Sequence, residues 1–156
     1  MATYDSTFFF YDSFQKAVGD GVINLGSDVF RVALFTSAFV QDVTNTDFAS
    51  LANELPTANG YTAGGAVVPG ITWTQTGGES KWSGGSVVWA ASGAGLTVRR
   101  YVLYSETAVG TDLVGVGLVN DNPFPGGSDV STIPGNNLTL TFPAEGIFIG
   151  TTTDST

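Results

Sequence analysis

Neither cysteine nor histidine occurs anywhere in the 156 residues. Without cysteine there is no disulfide, no thiolate nucleophile and no sulfur ligand for a metal. Without histidine the chain lacks the commonest general base and metal ligand, and every Ser-His-Asp or Cys-His arrangement is excluded. Charge is scarce as well, at 12% of residues, about half the share usual in soluble domains. Fourteen acids against five cations leave a net charge of −9, which repels a nucleic-acid backbone. No apolar run approaches the ~18 residues of a membrane span, and Met1 to Phe14 holds no basic leader region. The expectation is a soluble protein made in the cytoplasm, with neither nucleic acid nor membrane as partner.

What is present points to β-structure. Hydrophobic residues make up 42% and glycines number 21, a composition suited to short strands and tight turns rather than helices. Roughly eight or nine short strands separated by Gly, Pro and Asn turns predict an all-β fold, a β-sandwich or jelly roll with one short N-terminal helix. The helix is expected at Asp12 to Val18, ended by Gly19. Residues 1–13 read as an N-terminal arm, 14–150 as a single sandwich domain, and 151–156 as a flexible tail. The strand expected at the centre is Leu96–Ser105, a run free of Gly and Pro with two largely apolar faces. Val29–Thr36 also reads as buried on both faces, and Leu138–Phe142 with Ile147–Ile149 as a terminal hairpin. Gly115 and Gly117 fall on one face of the strand after Asp112, leaving bare backbone on which a large ring such as Trp73, Trp82 or Trp89 can lie.

Few residues offer chemistry. Ser13-Phe14-Gln15-Lys16 matches an S-x-x-K pattern but lacks the companion motifs of acyl-transfer enzymes. Asp42, Asn45 and Asp47 cluster without the spacing of a calcium loop. Gly115-Val116-Gly117 lacks the third glycine and the helix of a dinucleotide site. Glu79, Glu106 and Glu145 lie near turns, with nothing to bring two of them into one cleft. No enzyme activity, cofactor or metal is expected. Arg99 and Arg100 read as structural, one clamped by an acid of a neighbouring strand, with Arg100 the more buried. The aromatic run Phe8, Phe9, Phe10 and Tyr11 packs either on the protein's own core or on a neighbouring subunit, and both readings stay open. With Pro123, Phe124 and Pro125 of the long loop, it forms the candidate subunit or capsid interface.

The order of segments adds a resemblance. Phe14-Gln15-Lys16-Ala17, Val22-Ile23-Asn24-Leu25 and Asp28 to Phe39 resemble the opening of a group of small tailed-bacteriophage virion proteins. Asn53-Glu54-Leu55, Gly60-Tyr61-Thr62-Ala63-Gly64-Gly65, Ile71-Thr72-Trp73-Thr74, Arg100 to Tyr104, Leu113-Val114-Gly115 and Gly146-Ile147-Phe148 are similar to that group too. Gly-Tyr-Thr-Ala-Gly-Gly is the most specific piece, whereas Met1 to Tyr11 and Asn120 to Pro134 depart from the pattern. The resemblance implies a capsid decoration (cement) protein. Its partner would be the major capsid protein, its form a homo-oligomer with a trimer favoured, and its place the capsid surface of the virion after synthesis in the host cytoplasm. The alternative is a carbohydrate-binding tail or receptor-binding module on Trp82 and Tyr61, or another minor neck or tail component.

Overall fold

Two stretches too apolar to leave either face in water, Phe30–Phe35 and Arg100–Ser105, lie side by side at the centre of the protein. The computed structural model describes residues 8–120 and 126–152. In chain order its elements are β1 (Phe9–Phe10), α1 (Phe14–Gly19), β2 (Phe30–Phe35), a single 3-10 turn at Phe48–Ser50, β3 (Ala66–Val67), β4 (Thr72–Thr76), β5 (Glu79–Ser83) and β6 (Val87–Ala90). There follow β7 (Leu96–Val98), β8 (Arg100–Ser105), β9 (Leu113–Leu118), β10 (Val130–Thr132), β11 (Asn137–Leu140) and β12 (Phe148–Thr151). The fold is all-β and sandwich-like, with one short helix.

The central sheet has the order β1-β9-β8-β2-β3, antiparallel throughout. One face meets β5, β6, β7 and β11 across the larger core, where Phe30, Val32, Leu34, Tyr101 and Leu103 pack with Trp82, Trp89, Val98 and Leu138. On the other face Tyr11, Ala33, Phe35, Val102, Tyr104 and Val116 form a second, smaller core, closed over by Val43, Phe48 and Leu51 of the loop after β2. Burying a side chain of this size contributes roughly 1.5–3 kcal/mol, so a sheet apolar on both faces is stable only with both layers in place.

Three expectations are corrected. Leu96–Ser105 is not one strand: it bends at Arg99, so that Leu96–Val98 pairs with β10 while Arg100–Ser105 enters the central sheet. The Arg99 backbone is shared there, its N–H donating to the Phe35 carbonyl and its carbonyl accepting from Val119. Neither are β11 and β12 a hairpin. Leu138 faces Trp89 of β6, and Phe148 faces Trp82 of β5, because each buries its apolar side chains best against a strand distant in sequence. Lastly, the glycine strip on β9 is covered by Phe8 and Tyr101 rather than by tryptophan. A Cβ on Gly115 would come within 2.2 Å of the Phe8 ring, and one on Gly117 within 2.5 Å of the Tyr101 ring.

The strip depends on a bulge. Leu103 faces Gly115 but Tyr104 faces Leu113, which leaves Val114 as the extra residue. The bulge inverts the alternation, so Val114 joins the larger core while Leu113 joins the smaller. Its free carbonyl accepts the Tyr11 N–H at 3.0 Å, and this bond carries the chain from β1 toward α1. The helix forms one or two residues later than expected, with Phe14 and Ala17 buried.

Gly115 has an ordinary φ, so the cost of a side chain there is purely steric. Gly115→Val is expected to displace the Phe8 ring and lower stability by about 1–3 kcal/mol in urea denaturation. Gly126→Ala, with open space around its Cβ, should stay within about 0.5 kcal/mol of the parent.

Candidate functional site

The aromatic run divides by residue. Tyr11 is 2% exposed, and its hydroxyl is pushed up to about 12 by burial first and by Asp42 second. Phe10 stacks on Phe14 at 4.9 Å and meets Phe148 edge-on, and Phe8 stacks on Tyr101 at 6.0 Å. Three of the four rings thus pack on the protein's own core, and Phe9, 43% exposed, is left outward. Phe9 and Phe10 also form an edge strand of the central sheet, so the arm is bound from Phe8 onward. Pro123, Phe124 and Pro125 lie outside the described residues, as do 1–7 and 153–156; of the expected tail, Thr151 closes β12 and Thr152 donates its N–H to Gly78.

Arg99 and Arg100 are both half-buried and both engaged. The Arg99 Nε meets Asp129 Oδ1 at 2.7 Å, an acid in the loop just before β10 rather than on a neighbouring strand. Arg100 donates from Nη1 to Gln41 Oε1 at 2.7 Å, and desolvation followed by repulsion from Arg99 lowers its pKa.

The densest polar arrangement lies elsewhere, around Glu54. Its Oε1 accepts the Tyr61 hydroxyl and the Gly64 N–H, each at 2.6 Å. The same Tyr61 oxygen accepts the Leu34 N–H of β2 at 3.0 Å. Tyr104 donates its hydroxyl to the Gly64 carbonyl at 2.7 Å, and Arg31 donates to the Gly65 carbonyl at 3.0 Å while pairing with Glu106. Backbone geometry completes the clamp. Gly65, at φ +76°, passes so close to β2 that a Cβ would sit 1.9 Å from the Val32 carbonyl oxygen. Burial, with the Glu54 bond second, raises the Tyr61 pKa strongly; burial raises Tyr101, and takes Tyr104 to about 12. Every group here is a positioned donor or acceptor tying the 56–65 loop to β2 and β8. Glu54 was missed in the sequence because it stands in a polar stretch; the signal was its place ten residues before the Gly64-Gly65 pair.

The other candidates are taken up locally. Asp42 accepts both the N–H and the hydroxyl of Thr44, which lowers its pKa, and Asp47 caps the 3-10 turn through the Ala49 N–H. Lys16 pairs with Asp20 one turn on rather than with Ser13, and Glu106 pairs with Arg31. Among the described residues no group of three His, Cys, Asp or Glu could hold a metal ion, and no helix is long and apolar enough to cross a membrane. Trp82 and Tyr61 are 0% and 2% exposed, so neither forms the sugar platform considered for them; Trp73, at 42%, is the outward indole. No family model, curated protein or solved structure matches the chain.

Two outcomes follow from the clamp. Tyr61→Phe removes one donor from Glu54 and strands the buried Leu34 N–H, and should cost about 1–3 kcal/mol by chemical denaturation. The tyrosines of the clamp and core titrate higher when folded than at the ~10 of an unfolded chain, so the unfolded state loses protons first on alkalisation. Stability is then full below about pH 10 and falls as pH rises toward about 12, which circular dichroism melts at stepped pH would record.

Proposed function

We propose that this chain is a structural protein of a tailed-bacteriophage virion, decorating and stabilising the outer surface of the capsid. Its partner is the major capsid protein, its form a homotrimer, and its role non-catalytic. The observation that carries the reading is the Gly60–Gly65 segment. The piece of sequence most specific to the resemblance is the piece clamped by Glu54, Leu34 and Tyr104, a segment that holds the fold together, and this supports the reading.

Two surface features support adhesion. Phe9 presents its ring on β1, an edge strand of the central sheet, whose far side pairs with no strand among the described residues. A short apolar edge of this kind binds weakly alone, and repetition over a symmetric shell multiplies weak contacts. The net charge of −9 keeps decorated particles apart.

Purified protein added to undecorated heads should appear as regularly spaced density in electron micrographs and sediment as a trimer when free. Bare heads after incubation would end the reading. Phe9→Ser should leave the melting transition within about 0.5 kcal/mol of the parent while reducing head occupancy; unchanged occupancy would remove Phe9 from the contact.

A further inference from the structure

The three-stranded sheet β12-β5-β4 extends past the core it covers. On its inner face the register gives two rows. Trp73, Trp82 and Phe148 lie side by side in the first, and Gln75, Ser80 and Gly150 in the second. Trp82 is fully buried against Phe14 and Phe30, so the first row closes the core. The second row stands beyond it and opens into a cleft of about 410 Å³ lined by Trp73, Gln75, Ser80, Phe148, Gly150 and Thr152, within the roughly 300–1,000 Å³ typical of small-ligand sites.

The chemistry of this cleft is mixed in a particular way. Trp73, 42% exposed, tilts against Phe148 with ring centroids 6.3 Å apart, and Phe148 in turn leans on Phe10 and Phe14, so the indole has a firm backing. Gln75 turns its amide N–H onto the Gly77 carbonyl, leaving its carbonyl oxygen as an acceptor. Ser80 brings a hydroxyl that both donates and accepts. At Gly150 the missing side chain makes the depression: a Cβ there would touch nothing nearer than 4.0 Å. Among the described residues no charged side chain lines the cleft, since Glu79 and Lys81 alternate to the opposite face of β5.

We propose that this cleft binds a neutral pyranose sugar. The apolar face of the ring stacks on the Trp73 indole, and its hydroxyls meet Gln75 and Ser80 above the Gly150 depression. A purely apolar ligand would strip water from Gln75 and Ser80 without replacing their hydrogen bonds, and a phosphorylated one meets a protein of charge −9 with no cation among the described residues lining the cleft. The site stands independently of capsid decoration, and either can fail without the other.

The test uses the full chain, with nuclear magnetic resonance following the indole N–H signals during titration with glucose, galactose, mannose and N-acetylglucosamine, and with glycerol as a polyol lacking a ring face. The Trp73 signal, assigned by its loss in Trp73→Phe, should move saturably with at least one pyranose at a Kd on the order of 1 mM, and not with glycerol. Trp73→Ala and the cleft-filling Gly150→Val should each weaken binding about tenfold or more while the far-ultraviolet circular dichroism spectrum stays that of the folded parent. The proposal is overturned if no pyranose shifts the signal saturably, if glycerol shifts it equally, or if Gly150→Val binds as the parent does.

Discussion

A single carboxylate oxygen, Oε1 of Glu54, holds the Tyr61 hydroxyl and the Gly64 amide at 2.6 Å each, and the placement of the second layer depends on it. Through Tyr61 it reaches the buried Leu34 amide near the C-terminal end of β2. Through Gly64 it sets the loop whose next residue, Gly65, lies against the Val32 carbonyl. At the other end of that loop Gly60 passes as close to the Ala90 carbonyl of β6, and Asn59, in the left-handed region at φ 56°, receives the Ala94 N–H. The loop therefore fastens the central sheet to the layer facing it. Unpaired, these buried groups would each cost about 1–3 kcal/mol, and the network is strong because every member has its partner.

The scarcity of charge follows the same logic. A sheet apolar on both faces leaves little surface for ionic side chains, and of the five cations Arg31, Arg99 and Arg100 hold loops to strands through Glu106, Asp129 and Gln41. These polar groups are distributed along the seams between segments. Apolar side chains also reach solvent at the margins, Phe9 on β1 and Trp73 on β4 among them.

Strands announced by strict alternation were legible in the sequence. Val87 and Trp89 are buried while Val88 and Ala90 are exposed, and β2 is buried on both faces as its composition requires. Alternation tells which face is covered and not what covers it, so it shows neither that β11 pairs with β6 and β12 with β5 nor that Phe8 and Tyr101 occupy the glycine strip. The change of sheet at Arg99 carried no Gly or Pro to mark it; its cause is a pair of long-range backbone bonds to Phe35 and Val119. The candidate interface was legible only in part. Four adjacent aromatics look alike in sequence, and what separates them is cover: Tyr11 is enclosed in the smaller core while Phe9 stays outward.

The central claim is that the polar groups of the Gly60–Gly65 segment belong to the frame of the fold and do not open independently of it. Amide hydrogen exchange at Gly64 and Leu34 tests this most directly. If the claim holds, both amides exchange only through global unfolding, with the same free energy of opening as the slowest amides of β2 and β8. Fast exchange at Gly64 while β2 stays protected would show a loop that opens alone, and would contradict it.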